Sequence, residues 1–149
     1  MADRILEREQ RLPGAPAEIF QFFADARNLE AITPRLLRFR VVTPDPIVMG
    51  RGTLIRYRLR VHGVPVSWLT EITTWDPPHR FVDEQIRGPY ALWHHTHSFE
   101  ADGDETIMRD RVRYRIGFGP LGRLAGDLVV RRDLAAIFDH RAERVRELL

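Results

Sequence analysis

The densest chemistry in this chain lies in Trp93-His94-His95-Thr96-His97-Ser98-Phe99. On a β-strand, side chains two apart share a face, so Trp93, His95, His97 and Phe99 point one way and His94 the other. Downstream, Asp102-Gly103 predicts a two-residue hairpin turn of type I′, which asks for positive φ at both positions. With Ala101 opposite Asp104, His95 is predicted to face Asp110, His97 to face Met108 and Trp93 to face Val112. Two imidazoles and a carboxylate then project from an otherwise apolar wall. Three roles fit them. They can brace the sheet as a satisfied polar network, anchor the polar end of a ligand in an apolar pocket, or move protons, with Asp110 orienting His95 and raising its pKa. A metal is not expected. His-x-His on a strand chelates only with further donors, and the sequence fixes no third one. Asp83-Glu84-Gln85, in the strand before, leaves two alternatives: one loop length turns Glu84 inward, the other Asp83 and Gln85.

The elements that must carry these groups follow from periodicity. Arg4 to Leu12 alternates as an opening strand. Pro16 starts a short helix with Ile19, Phe20, Phe22 and Phe23 on its apolar face, and Asp25 is placed to cap a second one ending before Pro34. Leu37, Phe39 and Val41 alternate with arginines, as do Ile55, Tyr57, Leu59 and Val61. His62-Gly63 turns the chain into Val64–Trp75. Pro77-Pro78 and Gly88-Pro89 bracket Arg80–Ile86, then come Ala91–Glu100 and Glu105–Ile116. In the last strand Met108, Val112, Tyr114 and Ile116 oppose Arg109, Arg111, Arg113 and Arg115. From Leu121 to Leu149 the period becomes helical, with Leu121, Leu124, Leu128, Ala135, Phe138, Ala142, Val145 and Leu149 as its stripe. The fold class is α+β: a seven-stranded curved antiparallel sheet wrapped around one long C-terminal helix, with two short helices after the first strand.

Composition narrows the partners. At 149 residues the chain fits one domain spanning 1–149 and needs neither disulfide nor metal to fold. It has no cysteine, and all 23 basic residues are arginine, the mark of a GC-rich coding sequence. Those arginines are interspersed with 21 acids for a net charge of +2, a mixed solvated surface rather than a nucleic-acid footprint. There is no apolar run long enough for membrane insertion and no apolar core for a signal peptide near Met1. Cytoplasmic location is the expectation, and a homo-oligomer is left open.

Together, Pro16-x-x-Ile19-Phe20, Asn28 to Pro34, Phe81-Val82-Asp83-Glu84-Gln85, Gly88-Pro89-Tyr90, Trp93-x-His95-x-His97-x-Phe99, Asp110-x-Val112-x-Tyr114 and Ile137 to Arg141 resemble the bacterial ligand-binding branch of the SRPBCC superfamily. That group holds polyketide cyclase/dehydrase-like and START-like domains. The resemblance spans essentially the whole chain and implies a helix-grip fold with a deep apolar cavity under the C-terminal helix. It does not imply one chemistry, because the superfamily contains carriers, aromatase/cyclases and oxygenase subunits.

The first expectation is therefore binding of a small hydrophobic, lipid-like or polyketide-like molecule without any cofactor. Its expected wall is Phe39, Ile55, Tyr57, Leu59, Trp68, Trp93, Met108, Val112, Tyr114, Leu124, Leu128 and Phe138, with His95, His97 and Asp110 as polar anchors. The alternative is a polyketide cyclase/dehydratase-type enzyme in which His95, His97 and Asp110 are the catalytic candidates. A third is a partner-binding module with a vestigial cavity. A core packed solid between sheet and helix would favour that last one.

Overall fold

The computed structural model of the protein describes residues 3–117 and 126–149. The chain runs β1 (Arg4–Pro13), α1 (Pro16–Phe23), α2 (Asn28–Ala31), a 3-10 turn (Arg35–Leu37), β2 (Arg40–Val41), β3 (Leu54–Val61), β4 (Val64–Asp76), β5 (Arg80–Arg87), β6 (Leu92–Asp102), β7 (Glu105–Arg115) and α3 (Asp127–Leu148). All seven strands form one antiparallel sheet in the order β1-β7-β6-β5-β4-β3-β2. It is the α+β helix-grip arrangement that the period change demands: an amphipathic sheet buries its apolar face against helices on one side.

Register breaks at Leu69/Thr70 and Ile72/Thr74 between β4 and β5 supply the local bends and twist that curve such a sheet. Under its concave face, one end is packed solid. Phe20 of α1 meets Trp75, Phe81 and Phe99 edge-on, with ring centroids 5.0, 5.7 and 5.3 Å away. Met108 and Ile55 are buried in the same core. Toward the other end Trp93, Val112 and Tyr114 pack under Val130, Leu134 and Phe138 of α3.

Several expected elements change length. The strand expected from Leu37 shrinks to Arg40–Val41, because Arg35–Leu37 winds into a 3-10 turn that ends with Arg38 in the left-handed region, φ 46°. Asp25 does not cap α2; its carboxylate accepts from the Arg27 backbone N–H at 3.0 Å, tightening the turn before it. The long helix is described from Asp127, and Leu121 and Leu124 lie outside the described residues.

The helix stripe is also corrected. Buried positions on α3 are Val130, Leu134, Phe138, Arg141 and Val145, spaced four, four, three and four apart. Leu128 is 60% exposed. At 3.6 residues per turn it sits roughly 80° around the axis from Phe138, off the buried face.

The β6–β7 hairpin differs by two residues from the sequence-based register. Asp102 pairs with Glu105, so the loop is Gly103-Asp104, and His95 faces Val112 while His97 faces Asp110. Gly103 has φ 62° and Asp104 is not among the positive-φ residues, the pattern of a type II′ turn with glycine first. The type I′ turn occurs instead at His62-Gly63, with φ 49° and 81°. A two-residue shift keeps every side chain on its face, so hydrophobic alternation had no power to distinguish the two registers.

This turn assignment is testable by urea unfolding. Gly103→Ala forces a Cβ into a positive-φ position and is expected to lower stability by about 1–2 kcal/mol with an unchanged m-value. Asp104→Ala should fall within about 0.5 kcal/mol of the parent, as exposed substitutions usually do.

Candidate functional site

At the centre of the sheet three strands deliver the polar cluster. On β6, His95 and His97 share the inner face and stack, with ring centroids 3.6 Å apart. On β5, Asp83 pairs in register with His95, and Phe81 with His97. The Phe81 ring covers the other side of His97 at 4.0 Å. On β7, Asp110 stands behind the histidines. From α3, Arg141 closes the cluster, its guanidinium lying 5.4 Å from the Phe23 ring centroid and 5.6 Å from that of Phe138.

The alternative left open for the Asp83-Glu84-Gln85 segment is thereby decided. Asp83 faces inward, and Glu84 pairs with His94, whose parity is that of the outer face. Gln85 holds the following loop: its amide donates to the Tyr90 carbonyl at 2.7 Å and accepts from the Tyr90 N–H at 3.0 Å. A Cβ at Gly88 would come within 2.5 Å of Gln85 Oε1, so the glycine makes room for that clamp.

The hydrogen bonds define where the protons sit. His95 Nε2 lies 2.8 Å from Asp110 Oδ1, and His97 Nε2 lies 2.6 Å from Asp83 Oδ2. Burial by itself would raise Asp110, but Arg141 and the two histidines outweigh it and hold the carboxyl below its ordinary range. Burial likewise opposes ionisation of Asp83, and His95, His97 and Arg141 together override it. Burial, then the neighbouring His95, push His97 down to about 4 against the pull of Asp83. Both carboxylates are therefore acceptors; His97 carries its proton on Nε2, toward Asp83, and His95 donates from Nε2 to Asp110. Nδ1 of His97 is left to accept from Arg141 at 3.4 Å. Nδ1 of His95 faces Asp83 Oδ2 at 3.6 Å, beyond hydrogen-bond range. When His95 is neutral, two acceptors face each other there. Arg141 Nε is buried with no hydrogen-bond partner among the described residues.

This cluster forms the polar wall of a cavity of about 170 Å³ between sheet and α3. Of the residues expected to line it, Phe39, Tyr57, Leu59, Trp68, Trp93, His95, His97 and Phe138 do so. The others do not. Met108, Val112 and Tyr114 are consumed by packing against α1 and α3, Ile55 lines a smaller hollow beneath α1, and Leu128 points away. Asp110 supports the wall from behind rather than facing the space. Sequence reasoning missed Ile32, Thr70, Tyr90, Val130, Leu134 and, above all, Arg141. The signal for Arg141 was its place three residues after Phe138 and four before Val145, on the buried stripe.

Asp83 also changes the reading on metals. Its carboxylate, His95 and His97 bring ligand atoms within 4.8 Å of one another, so the missing third donor that argued against a metal is present.

The residues of this site lie within a match that spans nearly the whole chain. Residues 4–149 match the family described as polyketide cyclase/dehydrase and lipid transport. The chain belongs to that family. No curated protein matches it. Among solved structures it is similar to an aromatase/cyclase from Streptomyces sp. R1128, at 16% identity over 99% of this chain and 97% of that one, TM-score 0.70. It is similar to a START superfamily protein from Mycobacterium smegmatis, at 9% identity over 96% and 94%, TM-score 0.71. A protein from Thermus thermophilus shares 21% identity over 95% and 97%, TM-score 0.70. At these identities the likeness is one of fold: this family member shares the helix-grip fold of those structures.

The Asp110 contacts predict an order of stability. Asp110→Leu strands Arg141 and the His95 imidazole in a buried site and should cost about 3–5 kcal/mol, as when one partner of a buried ion pair is removed. Asp110→Asn keeps a carbonyl acceptor and should cost about 1–3 kcal/mol. Urea melts of the three proteins side by side check the ranking.

Proposed function

We propose that this family member binds a small, mostly apolar molecule whose oxygen-bearing end docks against Arg141 and His95, and that it does so in the cytoplasm without nucleic acid or membrane insertion. The observation that carries this is the unmatched polar pair in an aromatic-lined cavity. Among the described residues Arg141 Nε has a proton and no acceptor, and Nδ1 of a neutral His95 turns its lone pair to Asp83 Oδ2, 3.6 Å away and beyond hydrogen-bond range. An unsatisfied buried polar group costs about 1–3 kcal/mol, and a ligand hydroxyl or enol oxygen would find its partners at this end of the cavity, which Arg141 and His95 both line.

Size narrows the ligand further. A cavity of about 170 Å³ resembles the roughly 150 Å³ apolar cavity that accepts benzene in another protein, so one ring fits inside. A longer chain would leave by way of Leu37, Val61, Asp133 and Ile137, which line both this cavity and an open hollow beside Leu36 and His62. Among the described residues no helix is long and apolar enough to cross a membrane.

A cyclase or dehydratase activity is the second reading, favoured by one feature. His95, braced through Nε2 by Asp110, offers its Nδ1 as a general base toward the cavity, and such groups supply about 10²–10⁴-fold in rate. Turnover of a poly-keto substrate that is lost in His95→Gln, with the melt unchanged, would establish it.

Native mass spectrometry of protein purified from its own host should show one co-purified small molecule per chain. Leu59→Trp fills the cavity and should weaken that ligand at least tenfold, about 1.4 kcal/mol. Undiminished binding in Leu59→Trp would mean the ligand sits elsewhere.

A further inference from the structure

The geometry points to a divalent transition-metal site of the zinc class, made by His95 Nδ1, His97 Nε2 and a carboxylate oxygen of Asp83, with an open coordination position toward the cavity. It goes beyond the binding function proposed above and does not depend on it.

The donor set is the first ground. Two imidazoles and a carboxylate, with a remaining position for water or ligand, is a recurrent arrangement for catalytic zinc. All three side chains come from adjacent strands in register, His95 with Asp83 across β5–β6 and His97 two residues on. Rigid strands fix such ligands better than loops do.

The second ground is the surrounding shell. A metal-bound histidine usually donates its other N–H to a carboxylate, which fixes the ring and raises its basicity. Here Asp110 Oδ1 stands 2.8 Å from Nε2 of His95 and 3.5 Å from Nδ1 of His97. One carboxylate serves the outer nitrogen of both histidines. His95 already has the required tautomer. His97 would shift its proton from Nε2 to Nδ1, exchanging Asp83 for Asp110 as acceptor and giving up the hydrogen bond that Nδ1 accepts from Arg141, so no proton need leave the protein.

The third ground is the confrontation of His95 Nδ1 with Asp83 Oδ2 at 3.6 Å. Two facing acceptors attract a cation, and 3.6 Å approaches the ligand–ligand separation that metal–ligand bonds of about 2.0–2.1 Å produce in a tetrahedron. The contact between His97 and Asp83, at 2.6 Å, has to open on binding. Arg141 opposes a second positive charge, but it lies 3.6 Å from Asp110 Oδ1, which offsets much of its charge and leaves Asp83 to the metal.

The test is titration of tag-free, chelator-stripped protein with Co²⁺ and Zn²⁺, using Mg²⁺ as the hard-ion control. One equivalent of Co²⁺ should produce visible ligand-field absorption that Zn²⁺ abolishes and Mg²⁺ does not affect. His95→Gln and Asp83→Asn should lose it, Asp110→Asn should bind about 10–100-fold more weakly, and His94→Gln, on the outer face, should bind like the parent. Absence of the absorption, its persistence in His95→Gln, or its loss in His94→Gln would overturn the proposal. If the site variants do not fold, X-ray absorption of the Zn²⁺-loaded parent decides. Two imidazoles in the first shell are expected, and fewer than two would contradict the site.

Discussion

One constraint organises this molecule: the Asp110 carboxylate is buried and must be satisfied from two sides, the neighbouring strand and the helix. His95 Nε2 reaches it at 2.8 Å and the Arg141 guanidinium stands 3.6 Å away, while His97 Nδ1, 3.5 Å off, turns its lone pair to Arg141 instead. The two histidines belong to the neighbouring strand and the arginine to the helix. A single charge deep in the interior therefore ties sheet to helix at a fixed distance and rotation. Such a charge, left unpaired, would be far more costly than any one apolar contact, so the helix is not free to slide toward the cavity and fill it. Asp83 completes the charge pattern from the opposite strand by holding His97 at 2.6 Å.

That fixed separation explains why the space is uneven. Where α1 and the buried stripe of α3 meet the sheet, aromatic and branched side chains fill the gap. Over β3 to β6, the sheet bends at the β4 irregularities and the helix stays at the height set by Arg141. Trp68 and Trp93 form an edge-on pair 5.1 Å apart along the wall, and Trp68 satisfies its indole N–H locally, on Thr70 Oγ1 at 3.0 Å. The aromatic wall thus makes few polar demands of an occupant; the demands come from the His95–Arg141 end.

Much of this was legible in the residues. Period-two alternation located the main strands, the change of period located the helix, and the parity of Trp93, His95, His97 and Phe99 put both imidazoles inward. What alternation cannot resolve is any ambiguity of two residues, and the β6–β7 turn is a case of that kind: Asp102-Gly103 and Gly103-Asp104 both make sound hairpins and both keep the faces. The inward turn of Asp83 depended on the Gln85–Tyr90 clamp, a side-chain-to-backbone contact with no periodic signature. Arg141 escaped notice because all 23 basic residues are arginine, so one buried member looked like the solvated majority. Leu128 misled for the complementary reason, being apolar yet turned to solvent.

The polar wall depends on where the protons lie between these four side chains, and long-range ¹H–¹⁵N correlation of the imidazoles reads that directly. In metal-free protein with its cavity empty, the neutral forms of both His95 and His97 are predicted to carry hydrogen on Nε2, leaving Nδ1 bare. Asp110→Asn should perturb the His95 ring more than that of His94. A neutral His95 protonated on Nδ1 would mean that Asp110 does not hold its Nε2, and the polar wall as described would be wrong.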